Sequence, residues 1–166
     1  DSYISRTDTT LVNAISVPIY GFDNRIAGVL SADTLATRLS EDIGHIVIGK
    51  TGNCFILGLN GKTIAHPNTD LVKKQDNFQE SAKTDTTFAS IAQYAKKAMA
   101  QKEPEIGYYT LYGKHNIACH ATMQTTGWKV FVRAPIGEFM DTLTVLQYSM
   151  SLAGLFFIIA TLIFVF

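Results

Sequence analysis

The chain has 166 residues, 47% of them hydrophobic and 17% charged, and its 14 basic and 14 acidic residues give a formal net charge of zero. That composition excludes a disordered chain, and electroneutrality with dispersed basic residues removes the electrostatic footprint of a nucleic-acid-binding protein. Neither the two cysteines, Cys54 and Cys119, nor the four histidines, His45, His66, His115 and His120, have paired or metal-ligand spacing. No metal or cofactor is implied, and both cysteines are expected to be buried as small hydrophobes.

In chain order, LVNAISVPIY (Leu11 to Tyr20) and RIAGVLSAD (Arg25 to Asp33) read as two strands joined by the turn cluster GFDN (Gly21 to Asn24). A lone hairpin is marginal in water, so it is expected to belong to a larger sheet whose other strands precede it. TLATRLSEDI (Thr34 to Ile43) spaces Leu35, Leu39 and Ile43 on a helical stripe, with Asp33 or Thr34 placed to cap it. Between Gly49 and Pro67, NCFILGL and KTIAH flank Asn60-Gly61, a strong hairpin signal in which both turn positions are expected at positive φ.

A polar loop is expected next. DTTFASIAQYAKKAMA (Asp85 to Ala100) then puts Phe88, Ile91, Ala92, Ala95, Ala98 and Met99 on one helical face. Three strands follow, IGYYTLYG (Ile106 to Gly113), HNIACHATM (His115 to Met123) and GWKVFVRAP (Gly127 to Pro135), joined by links short enough to impose an antiparallel meander. The order predicts an α+β domain with a five-stranded antiparallel sheet and flanking helices.

From Thr142 to Phe166 there is no charged residue, and from Met150 the run MSLAGLFFIIATLIFVF is almost wholly apolar. Its Leu, Ile, Phe and Val residues together favour membrane insertion by about 3 to 6 kcal/mol. Gln147 to Phe166 in helical form spans about 30 Å, the thickness of a hydrocarbon core. A soluble core helix normally keeps a polar stripe, which this run lacks, so a membrane span is expected over 147–166. The run ends without a Lys/Arg-rich stop, which reads as a fragment of a longer protein.

No nucleophile elbow, paired-histidine zinc motif or phosphate loop is present, so no enzyme is expected. GKTGNC (Gly49 to Cys54) lacks the opening glycine of a phosphate loop, and Gly49 and Gly52 are expected in turns. Tyr108, Tyr109, His120 and Trp128 are polar or aromatic enough to line a pocket, although Trp128 better suits core packing. His66, just before Pro67, is expected to bond locally.

The segments SVPIYGFDNRIAGVLSAD, IGKTGNCFILGLNGKTIAHPNTDLV and GYYTLYGKHNIACHATMQTTGWKVFVRAP, followed at once by the apolar run, resemble the extracytoplasmic Cache sensor domains of bacterial transmembrane receptors, specifically the double Cache type. The resemblance implies a PAS-like Cache fold. It makes residues 1–33 the closing hairpin of a membrane-distal module, 34–135 a membrane-proximal module, 136–146 a juxtamembrane helix and 147–166 a transmembrane helix. The resemblance implies a homodimer that relays binding of a small molecule, such as an amino acid or amine, to the cytoplasmic output domain of a methyl-accepting chemotaxis protein or, alternatively, of a histidine kinase or diguanylate cyclase; a membrane-tethered surface enzyme or adhesion module is the rival reading from a different class. The family's ligand pattern ends in a Tyr and, about thirty residues later, an Asp; Tyr3 and Asp33 match these two in type and spacing. Two plainer readings stay open, Asp33 as a helix N-cap and Tyr3 as an exposed aromatic.

Overall fold

The computed structural model describes residues 2–5 and 10–165; Phe166, the last residue of the expected span, lies outside them. Among the described residues the chain builds two antiparallel sheets. The first has strands β1 (Ser2–Ile4), β2 (Leu11–Tyr20) and β3 (Ile26–Leu35) in that order. The turn closes as expected, with the Gly21 and Arg25 backbones hydrogen-bonded at 2.8 Å and Asn24 at φ 60°. β1, three residues long, has no signal of its own in the sequence. β3 runs two residues past Asp33, so helix α1 (Ala36–Gly44) starts after Leu35 with no side-chain cap. The expected capping by Asp33 or Thr34 is therefore corrected: the strand ladder claims both residues first.

The second sheet has six strands where five were expected. β4 (Val47–Ile48), β5 (Gly52–Leu57), β9 (Lys129–Pro135), β8 (Lys114–Thr122) and β7 (Glu105–Leu111) lie side by side, and β6 (Thr63–Ala65) pairs with β5. The additional strand is the two-residue β4, too short to show periodicity, which folds back on β5 through a turn at Gly49 (φ 65°). Gly52 is not a turn residue. It opens β5, where an added Cβ would stand 2.3 Å from the Ile48 carbonyl oxygen and 2.6 Å from that of Arg133. The Asn60-Gly61 hairpin forms, but only Gly61 takes positive φ (77°), while the Asn60 side chain accepts a 3.0 Å bond from the Lys62 amide.

The segment expected as a polar loop contains helices α2 (Thr69–Lys73) and α3 (Phe78–Thr84), started by the side chains of Asn68 and Asn77. Asparagine at an N-cap satisfies an otherwise orphaned amide, and buried Val72 and Phe78 anchor the two short helices to the core. After a 3-10 turn at Thr86–Phe88 comes α4 (Ala89–Ala100), whose buried stripe is Ile91, Ala92, Tyr94, Ala95 and Ala98.

The sheet is sandwiched between helices. On its inner face Phe55 stacks on Phe131 with centroids 4.8 Å apart, and Leu57, Tyr109 and Ala118 complete a core closed by α3 and α4. On the outer face α1 sets Leu39 and Ile43 against Cys54, Ile56, Ile64, Trp128 and Val130. Burying each of the larger apolar side chains contributes about 1.5–3 kcal/mol. Cys54 is buried as expected; Cys119 is exposed, because α1 leaves its end of the outer face uncovered.

Helix α5 (Gly137–Val165) follows β9 directly and is one continuous helix of 29 residues. Among the described residues no helix is long and apolar enough to cross a membrane.

Candidate functional site

The three-stranded sheet brings Tyr3 and Asp33 together. Register places Tyr3 across from Val12, and Asp33 across from Ala14 on the neighbouring strand. The alternation of strand side chains puts both residues on one face. The Tyr3 hydroxyl lies 2.8 Å from each Asp33 carboxylate oxygen, to which it donates. That bond, with smaller contributions from desolvation and the carboxylate charge, raises the Tyr3 pKa above its ordinary value. Tyr3 is 42% exposed, so the pair is open to solvent.

The same face carries Ser16 and Ser31, whose hydroxyls are 2.7 Å apart. Period two from Asp33, together with the cross-strand register, brings these hydroxyls onto the face. One strip of sheet thus presents a carboxylate, a phenol and two hydroxyls. A carboxylate is acceptor-only and pairs with an ammonium through charge-assisted hydrogen bonds, while an oriented phenol fixes its position. The opposite face is apolar and exposed at Ile15, Val17 and Leu30.

The remaining candidates separate. Tyr109 and His120 are buried on the inner face of the six-stranded sheet, Tyr108 is exposed, and Trp128 packs beneath α1. The Tyr94 hydroxyl lies 3.3 Å from His120 Nδ1, and burial lowers the His120 pKa. His66 bonds locally as expected, its Nδ1 accepting from the Asn68 amide at 2.9 Å. A polar contact absent from the sequence reading joins Glu138, in the first turn of α5, to the β4–β5 turn. Its carboxylate accepts from the Lys50 amide at 2.6 Å, from the Thr51 amide at 3.2 Å and from the Thr51 hydroxyl. These donors hold the Glu138 pKa below the usual carboxylate range, the Thr51 hydroxyl contributing most.

Two antiparallel sheets, one of them covered by helices on both faces, define an α+β domain. Residues 2–143 match the Cache domain family profile dCache_1, and the chain belongs to the Cache domain family. Over 110 residues it is 30% identical to the methyl-accepting chemotaxis protein PscA of Pseudomonas syringae pv. tomato, covering 66% of this chain and 17% of PscA. Among solved structures it is similar to the ligand-binding domain of the amino acid chemoreceptor PctB of Pseudomonas aeruginosa PAO1 in complex with L-Arg. That likeness has TM-score 0.56 and 18% identity and covers 89% of this chain and 53% of that one. It is also similar to an extracellular domain assigned to a histidine kinase, mmHK1S-Z3, with TM-score 0.62 and 14% identity, covering 88% of this chain and 51% of that one. At such identities the solved structures show the shared fold. The chain spans about half the length of these two and about a sixth of PscA.

Proposed function

We propose that this chain is the ligand-sensing, extracytoplasmic part of a bacterial transmembrane chemoreceptor, and that it relays small-molecule binding to a cytoplasmic signalling domain. The observation that carries the proposal is the Cache family match over residues 2–143, running past β9 into α5. Residues 1–33 are the closing hairpin of a membrane-distal module, 34–135 the membrane-proximal module, 136–146 the juxtamembrane helix and 147–166 the span. The span is supported by the absence of charge from Thr142 to Phe166 and by a helix that continues through Val165. The receptor acts as a homodimer in the inner membrane.

Tyr3 and Asp33 hold the amino group of an amino acid or amine. Support comes from their 2.8 Å bond on an exposed polar strip and from PctB, a relative in fold whose structure contains L-Arg. Calorimetry of the receptor ectodomain against L-amino acids and primary amines tests the assignment. A charge-assisted bond contributes roughly 1.5–3 kcal/mol, so Asp33→Ala is expected to weaken the ligand identified by about 10- to 100-fold. Unchanged affinity removes Asp33 from the site.

The likeness to mmHK1S-Z3 favours one second reading, the sensor part of a histidine kinase. Ligand-dependent autophosphorylation of the intact receptor supports that reading; ligand-dependent methylation supports the chemoreceptor.

A further inference from the structure

A cavity of about 370 Å³ lies between the inner face of the six-stranded sheet and the helices α2 to α4. Its walls include the aromatic rings of Phe55, Phe78 and Phe88. Its polar lining includes Arg133, Lys114 and His66, and no Asp or Glu is part of it. Arg133 donates through Nε to Asn53 Oδ1 and through Nη1 to Asn116 Oδ1, each at 3.1 Å. Both acceptors are neutral amides, and among the described residues neither Arg133 nor Lys114 joins an ion pair. Carboxylates on adjoining elements are already engaged: Asp76 accepts from the Ser81 hydroxyl and Glu138 from the β4–β5 turn.

His66 adds a donor. Its Nδ1 accepts the Asn68 amide hydrogen, which leaves the proton on Nε2 in the neutral ring. Burial, helped by the nearby Arg133 charge, holds its pKa at about 4, so the ring is neutral at physiological pH. The wall around Arg133 therefore offers hydrogen-bond donors and positive charge alongside an aromatic surface, the Phe55 ring lying 5.8 Å from that of His66.

The mouth is built at a conformational cost. β7 and β8 are joined by Tyr112 and Gly113, both at positive φ (49° and 72°). Glycine or asparagine fits such a turn without strain, and a bulky residue there is an outlier. Tyr112 nonetheless borders the cavity, 68% exposed, with its ring edge-on to Phe88 at 5.7 Å.

We propose that this cavity binds a small organic carboxylate with an apolar or aromatic body, the carboxylate on Arg133, Lys114 and the His66 Nε2–H, and the body against the phenylalanines and Tyr112. A free amino acid suits it poorly, since its lining has no acid to receive the ammonium. The site rests on the sensor reading above and is independent of Tyr3 and Asp33. Two of its lining residues touch the output path: Thr51 bonds Glu138 of α5, and Pro135 ends the strand that leads into that helix.

The test is calorimetry of the purified chain in lipid nanodiscs with acetate, 4-methylpentanoate, benzoate and phenylacetate, and with phenylacetamide as the neutral counterpart. At least one apolar carboxylate is expected to bind, with the amide about tenfold or more weaker, because the charge-assisted bonds are lost. Arg133→Gln abolishes the binding, Lys114→Gln weakens it several-fold, and Tyr112→Gly weakens it while holding or raising the melting temperature. The proposal is overturned if no carboxylate in the panel binds, if phenylacetamide binds equally well, or if the Arg133 and Lys114 variants bind as the parent does. Should Arg133→Gln not fold, the exposed Lys114 variant and the acid–amide comparison decide. The amine titrations at Asp33 and these carboxylate titrations succeed or fail separately.

Discussion

His66 shows how one side chain reports on its surroundings. Its ordinary pKa of 6.5 falls to about 4 in the folded chain, chiefly through desolvation. A base whose folded pKa is depressed contributes stability above its unfolded pKa and loses it as pH falls through the folded one. Stability is thus expected to drop between about pH 6.5 and about 4, and His66→Gln to flatten that part of the profile in denaturant titrations read by Trp128 fluorescence. Gly52 is fixed by sterics instead. Since an added methyl meets two carbonyl oxygens and the Ala134 Cβ at 2.8 Å or less, Gly52→Ala is expected to cost about 2–3 kcal/mol, seen as a lower denaturation midpoint. The Tyr3–Asp33 contact was legible as a spacing, whereas Ser16 and Ser31 needed the strand register to join them.

At the scale of elements, the long ones declared themselves. β2, β3, α4 and the β7–β9 meander have apolar patterns or turn dipeptides that local physics reads directly. The missed elements, β1, β4, α2 and α3, have two to seven residues each and owe their form to tertiary contact or to one capping asparagine. The contact between α5 and the β4–β5 turn belongs to this scale. Because donors from Lys50 and Thr51 depress the Glu138 pKa, their contribution is present above the ordinary carboxylate range and is lost as pH falls through the lowered value. Glu138→Gln is expected to weaken the junction at neutral pH. Hydrogen exchange at the Lys50 and Thr51 amides should quicken while the β8 amides stay protected; unchanged exchange would show that the turn holds its shape without the carboxylate.

Across the whole molecule the two candidate sites differ in chemistry and in setting. One is an exposed strip ending in a carboxylate; the other is an aromatic cavity with cationic groups. The cavity was not legible in the sequence, because its lining runs from Thr51 to Pro135 and only the fold gathers residues that far apart. Arg133 gave no signal as one residue of an apolar strand, and Lys114, where β8 begins, stood in no pattern that pointed to a ligand. Only Ile136 separates β9 from α5. As a rigid rod α5 is about 44 Å long, so a tilt of about 3° at its root swings the far end by about 2 Å, the size of helix displacement by which interfaces switch. The junction is the fulcrum of a lever with a very short inner arm, and small adjustments of the sheet gain amplitude toward its far end.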